Sequence, residues 1–422
     1  MDAQDVIRTI ATMLAAGLVS ELVAGALRLP RMVILLGAGA LLGPSVLDAV
    51  DVPLDAVGIE LLFTLGVSLI LFHGGLGLSF AVLRKVAVGL GLLVVPGVIL
   101  TAVVTGLAAA AAFDIPFETG LLIGAVLAST DPAILIPLFE RLRVRPKVVQ
   151  TIIAESAFND VTGAVLSLAV AAFVLEGGGS LAEPLEEFVV DLGISTGLGV
   201  VFGLVLAVAI SSHRAGVWRE APAIAALLVV SAGFFSIDSA GGSGYLGAFL
   251  AGLIVANMDV LGLELHPQHE LDLRSFAALA ADVVVIFVFI TLGANLPFDT
   301  FGDFALPALA TLAVFIFVAR PLTVLASLLP DRRGRWTRSE IAFIGWTRET
   351  GVVPAAVAGL LVAKGVPNPD ELVTTVGLAI VVTLLLQATT KPWLARRLRL
   401  LEPERRAVTP PEEIGSLGTP EL

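Results

Sequence analysis

The chain has 422 residues, 57% of them hydrophobic and 15% charged, with a mean hydropathy of +0.97 and a formal net charge of −12. Apolar residues run along nearly the whole length and leave only about 25 polar residues at the end, which excludes an ordinary soluble enzyme. The absence of cysteine excludes a disulfide framework, a Cys-based metal site and a thiol nucleophile.

In chain order, residues 1–9 carry no basic region and no small-residue cleavage site, and read as mature chain. Cutting wherever charges and Pro/Gly clusters interrupt apolar runs of roughly 17–28 residues predicts thirteen membrane-spanning helices. They lie over 6–27, 32–49, 57–76, 86–113, 119–139, 148–175, 188–211, 221–237, 243–258, 276–296, 304–329, 341–363 and 371–390. These runs are far longer than the roughly 10 alternating residues of a barrel strand. The predicted fold class is therefore an all-α polytopic membrane protein. A polar tail, 401–422, follows and reads as disordered.

Charge supports the same cut. With the N-terminus outside, the inner segments hold 21 of the 25 basic residues, only Arg8 and Lys364 fall outside, and Arg320 and Arg348 lie within spans. That bias is the positive-inside pattern. The outer segments carry 18 acids against 2 bases, a field that would concentrate cations at an entrance if it is more than loop solubility.

An odd helix count fits two six-helix halves of opposite orientation joined by a linking seventh helix, the inverted repeat typical of secondary transporters. The fifth and twelfth spans then correspond, and both are interrupted. Ser129-Thr130-Asp131-Pro132 breaks the fifth, because proline removes a backbone donor and pushes its predecessor out of the helical region. Gly345 to Gly351, followed by Pro354, breaks the twelfth. Half-helix ends meeting in mid-membrane present unpaired N–H and C=O groups suited to ions.

Each ionisable group within a span needs a reason. Glu21 lies near an interface and reads as snorkelling, without a functional role. Asp282 reads as a structural or cavity-facing residue. In the sixth span, Glu155, Ser156, Asn159 and Asp160 form two adjacent polar ridges, since residues four apart stack on a helix. Helix gluing alone needs a Ser or an Asn, not two carboxylates. Together with Asp131 and the freed carbonyl of Thr130, these are hard oxygen ligands suited to an alkali cation, and a carboxylate among them can instead take a proton. If Asp160 holds one or the other but not both, exchange is obligatory. Arg320 is expected to clamp Glu155. Arg348 and Glu349 are expected to compensate half-helix dipoles or to pair with each other.

The Ser129-Thr130-Asp131-Pro132 break, the Glu155-Ser156-x-x-Asn159-Asp160 run and Arg320-Pro321 resemble the NhaP-type sodium/proton antiporters, relatives of the animal NHE exchangers. The 71–76 and 242–248 segments are similar to further family stretches, so the resemblance covers residues 5–400. It implies an electroneutral exchanger of Na+, with Li+ or K+ as alternatives, for H+. It implies a homodimeric protein of a cell membrane, N-terminus outside and C-terminus cytoplasmic. A dimer domain of 1–83 and 176–275, the latter including the linking helix, would support a moving core of 84–175 and 301–400, with the tenth helix at 276–300 and the tail at 401–422. By the same resemblance Asp160 binds cation and proton, Ser156 and the Thr130 backbone are ligands, and Asp131 and Asn159 organise the crossed helices. The amide of Asn159 stands where electrogenic relatives carry a second aspartate, which implies one-for-one exchange. Neither a cofactor nor a nucleic-acid partner is expected.

Two positions depart from the family pattern. His73 stands where many members have an acid or a small polar residue, and Glu349 follows Arg348 where a glycine is usual. Gly242-x-Gly244-x-x-Gly247 matches a dinucleotide fingerprint, but no strand precedes it, and close helix packing explains its glycines. His266 and His269 read as solvated loop histidines, with a surface metal or pH-sensing site as the alternative. An intramembrane aspartyl protease using Asp131 and Asp160 lacks its Gly-x-Gly-Asp signature, and an uncoupled cation channel is the other rival.

Overall fold

A computed structural model describes residues 3–54, 56–130, 139, 142–177, 182–213 and 216–401. Among these residues the chain forms helices and no strand beyond one isolated bridge, Val144 to Leu401. That is the expected outcome in lipid, where every backbone polar group must find a partner within its own segment. Nine helices are long and apolar enough to cross a membrane, and four shorter apolar helices bring the described spans to thirteen.

The first three spans are α1 (Ala3–Leu27), α2 (Arg31–Leu42) and α3 (Val57–Leu76). The fourth is α4 (Phe80–Val94) with α5 (Pro96–Phe113), divided where Pro96 has no N–H to donate. The fifth begins with α6 (Phe117–Leu127) and the sixth is α7 (Pro146–Leu175). Next come α8 (Ala182–Ile210), α9 (Pro222–Ser239), α10 (Gly244–Ala256) and α11 (Pro267–Ala294). The eleventh span is α12 (Phe301–Val314), a π-helical turn (Phe315–Ala319) and α13 (Arg320–Leu328). The twelfth is two half-helices, α14 (Arg338–Trp346) and α15 (Val352–Ala363). The last is α16 (Pro369–Thr383), a π-helical turn (Leu384–Ala388) and α17 (Thr389–Arg397). Several helices open on proline at the first turn, where its missing donor costs nothing.

Two predicted boundaries move for local reasons. The second span, expected over 32–49, is helical only to Leu42, because Gly43 is extended and Pro44 cannot continue the ladder. The tenth, expected from 276, begins at Pro267, because the His266 side chain caps it and its polar first turns stay helical. The four short apolar helices belong to the second, fifth, ninth and twelfth spans. Counting either side of a linking seventh helix, second pairs with ninth and fifth with twelfth, so the inverted repeat is visible in helix length.

The spans pack in two groups. In one, α5 lies against α6 and α12, α6 against α7 and α16, α13 against α4, and α15 against α7. In the other, α10 packs on α3 and α8, α11 on α2 and α3, and α1 on α2. The groups meet where α3, α10 and α11 face α7 and α15. Outward faces carry large apolar side chains such as Leu18, Leu22, Val57, Phe235 and Leu306, the surface a hydrocarbon layer covers.

Candidate ion-binding site

The site begins with the two breaks. After α6 the chain leaves helical geometry at Ser129 and Thr130, and after α14 it runs non-helically from Thr347 to Gly351. Both half-helices end here, so two negative dipole ends meet in the middle of the bundle. Each end is met by an arginine. Arg348 Nη2 donates to the Ala128 carbonyl at the end of α6. Arg320 Nη2 donates to the carbonyls of Ile344 and Thr347 at the end of α14, at 2.9 and 3.0 Å. These are the orphan acceptors a broken helix leaves, and in lipid no water is at hand to satisfy them.

Arg320 also forks onto Glu155. Its Nη1 reaches Oε1 and its Nη2 reaches Oε2 at 3.0 Å, with both side chains buried. The contact links the sixth and eleventh spans and is bidentate, the geometry in which Arg and carboxylate match best. Asn159 Nδ2 donates to the same Glu155 Oε1 at 3.3 Å, while Asn159 Oδ1 is buried without a partner.

Asp160 lies on the neighbouring ridge of α7. Its Oδ1 accepts from the Ser129 hydroxyl at 2.5 Å. Gly163, one turn on, permits that approach, since a Cβ there would sit 3.0 Å from the Ser129 Cβ. Ser156 is buried one turn before Asp160, and Thr130 is buried with its hydroxyl unpartnered. Asp131 lies outside the described residues. So the structure brings Asp160, Ser129, Thr130, Ser156 and Asn159 to one crossing, with Glu155, Arg320 and Arg348 around it.

A cavity of about 610 Å3 reaches this crossing. It runs from Arg274, whose side chain is 41% exposed, to Asp160, 5% exposed, along the seam between the two packed groups. His73 and Asp282 line it, as does Val352 at the N-terminus of α15. A helix N-terminus beside an anionic side chain is a favourable arrangement. Asp282 accepts from Arg31 at 3.4 Å, and Arg31 Nε also pairs with Glu21 at 3.0 Å, so one arginine ties the first, second and tenth spans.

The sequence model of a family described as "Sodium/hydrogen exchanger, transmembrane" matches residues 10–397. The chain belongs to this exchanger family. The K(+)/H(+) antiporter NhaP of Alkalimonas amylolytica is 28% identical over 404 residues, covering 94% of this chain and 67% of that relative. The probable Na(+)/H(+) antiporter 2 of Methanocaldococcus jannaschii is 27% identical over 369 residues, 84% of each chain. The sodium proton antiporter MjNhaP1 of the same organism, solved at pH 8, superposes with a TM-score of 0.76 at 24% identity, over 93% of this chain and 99% of that one. The fold is therefore that of the exchangers.

Glu349 does not pair with its neighbour Arg348 but with Lys391, and both partners are fully buried. Lys391, counted among the inner-segment bases, is thus part of the interior. Ser129 was legible only as part of the break, yet its hydroxyl donates to Asp160. His266 caps α11 and His269 sits 3.6 Å from Glu220, with no metal-ligand cluster among the described residues. Gly244 and Gly247 pack against Phe234 and Ile237, as expected of a close helix contact.

Proposed function

We propose that this exchanger carries a monovalent cation, Na+ or K+, one way and H+ the other, the two competing for Asp160. The observation that carries this reading is a buried carboxylate lining a cavity, near the ends of α6 and α14, each of which is met by an arginine. Asp160 faces the cavity, whereas Glu155 is committed to Arg320. The cation would be held by Asp160 with Ser156 and the Thr130 backbone as further oxygens. A proton on Asp160 removes the charge that attracts the cation, so one site serves both ions by turns.

The seam between the packed groups supports alternating access. Spans four to six and eleven to thirteen would move as a core (84–175 and 301–400) against the remainder (1–83 and 176–300), carrying Asp160 from one aqueous face to the other. The charge bias supports an N-terminus outside and a C-terminus inside a cell membrane, and by family likeness the working unit is a homodimer. Na+ is favoured by the family description, and K+ by the name of the Alkalimonas relative. Asn159 adds no titratable charge, which supports electroneutral one-for-one exchange. This is a transporter's site and not an enzyme's.

Purified protein in liposomes, loaded in turn with Na+, K+ and Li+, tests this with a pH-sensitive dye. The expected result is cation-driven proton flux that an imposed voltage does not alter. A flux without proton coupling would point to a channel instead.

A further inference from the structure

Among the described residues, the buried charged side chains of the spans are Glu155, Asp160, Glu349, Arg320, Arg348 and Lys391, with Glu340 in the first turn of α14, where it completes a capping box with Thr337. The proposed exchange uses Asp160, the Arg320–Glu155 clamp and Arg348. The ion pair of Glu349 and Lys391 is left over, and neither residue lines the cavity that reaches Asp160. A buried ion pair is seldom worth more than well-packed apolar residues of the same size, so stability alone does not explain it.

Its placement gives a reason. The segment joining the two halves of span twelve has no helical ladder of its own from Thr347 to Gly351, so side chains must hold it. Three ties fasten it to span thirteen. Trp346 Nε1 donates to Thr390 Oγ1 at 2.9 Å, Glu349 pairs with Lys391, and the Thr350 N–H donates to Thr383 Oγ1 at 3.0 Å. The middle tie is the ionic one, and it fixes the residue next to Arg348. Arg348 in turn holds the Ala128 carbonyl, and Ala128 precedes Ser129, whose hydroxyl bonds Asp160.

We propose that Lys391 and Glu349 are positioning residues for the ion site, acting on Asp160 through Arg348 and the Ala128–Ser129 turn. Every step in this chain is a peptide bond, an ion pair or a hydrogen bond between buried groups. Releasing the tie lets the break shift, and Arg348 then loses its register on the end of α6. Two things change at Asp160: the distance to a fixed positive charge, and the set of the hydroxyl that donates to it. Both bear on how Asp160 divides between cation and proton, so the pair tunes affinity without touching the ion. The inference rests on Asp160 being the exchange site.

The test removes the tie without leaving a buried charge behind, in the double variant Glu349→Leu/Lys391→Met. An apolar replacement of this kind is expected to fold at least as well as the wild type. In liposomes, the cation KM should rise by roughly 2- to 30-fold, the range for coupling through contiguous networks, with the maximal rate little changed. The pH dependence of exchange should move with it. A folded double variant with the wild-type KM and pH profile would overturn the proposal, and so would failure of the double variant to fold, since a purely architectural pair accounts for that. Wild-type liposomes without cation-driven proton flux would overturn the exchange reading itself, and are therefore measured first.

Discussion

Arg320 offers the sharpest test of how the crossing is held. In Arg320→Met the Glu155 carboxylate keeps only Asn159 as a described donor, and the carbonyls of Ile344 and Thr347 lose theirs. Breaking a buried ion pair by removing one partner costs about 3–5 kcal/mol, because the surviving charge stays desolvated. Each orphaned acceptor adds about 1–3 kcal/mol where no water can replace the donor, though such terms overlap and do not simply add. Against a typical total stability of about 5–15 kcal/mol this is a large share. The double variant Arg320→Met/Glu155→Met removes the stranded carboxylate as well and should recover most of the ion-pair part, leaving the two carbonyls as the residual loss. Thermal unfolding in detergent, followed by size-exclusion fluorescence, measures all three proteins side by side. A stabilising clamp is refuted if Arg320→Met melts with the wild type, or if the double variant is no more stable than the single one.

Four further outcomes are expected. Asp160→Asn should keep the wild-type melting temperature and lose cation-driven proton flux in liposomes; retained flux would remove Asp160 from the mechanism. The apparent KM for the cation should fall as pH rises, because protons occupy the same oxygens less often, and initial rates across a pH series read this directly. Ser129→Ala deletes a donor to Asp160 that favours its ionised form, so it should favour the proton and raise the cation KM by about 3- to 10-fold. In the first turn of α14, Glu340 accepts from the Thr337 N–H and from Lys147, each at 2.9 Å. Glu340→Gln removes the charge that Lys147 pairs with and should melt lower than wild type; an unchanged melting temperature would contradict this.

Much of this architecture was legible before any coordinates, for identifiable reasons. Thirteen apolar runs and the skew of Lys and Arg depend on bulk partition into lipid, which a linear reading captures. Pro132 and Pro354 mark interruptions through backbone chemistry alone, and Glu155 required a buried base that Arg320 could supply. What stayed hidden depended on which face of which helix meets which other. Ser129 and Asp160 are 31 residues apart, and their bond exists because Gly163 lets the turn close on α7. Lys391 sits near the end of its span beside exposed arginines, so position along the chain counts it as a surface base. Only the path of the break between α14 and α15 shows that Glu349 is directed to it.

The two arginines at the crossing have an implication for biogenesis. Both are supplied by the C-terminal half of the chain, yet one completes a carbonyl at Ala128 and the other neutralises Glu155, which emerge from the ribosome far earlier. The N-terminal half thus enters the bilayer carrying a helix end and an acid for which translation has not yet delivered the counterpart. Its fifth span lacks a partner until Arg348 has been inserted and its sixth until Arg320 has, so late assembly is expected, and fragments severed after the linking helix should be recognised and degraded as unfinished.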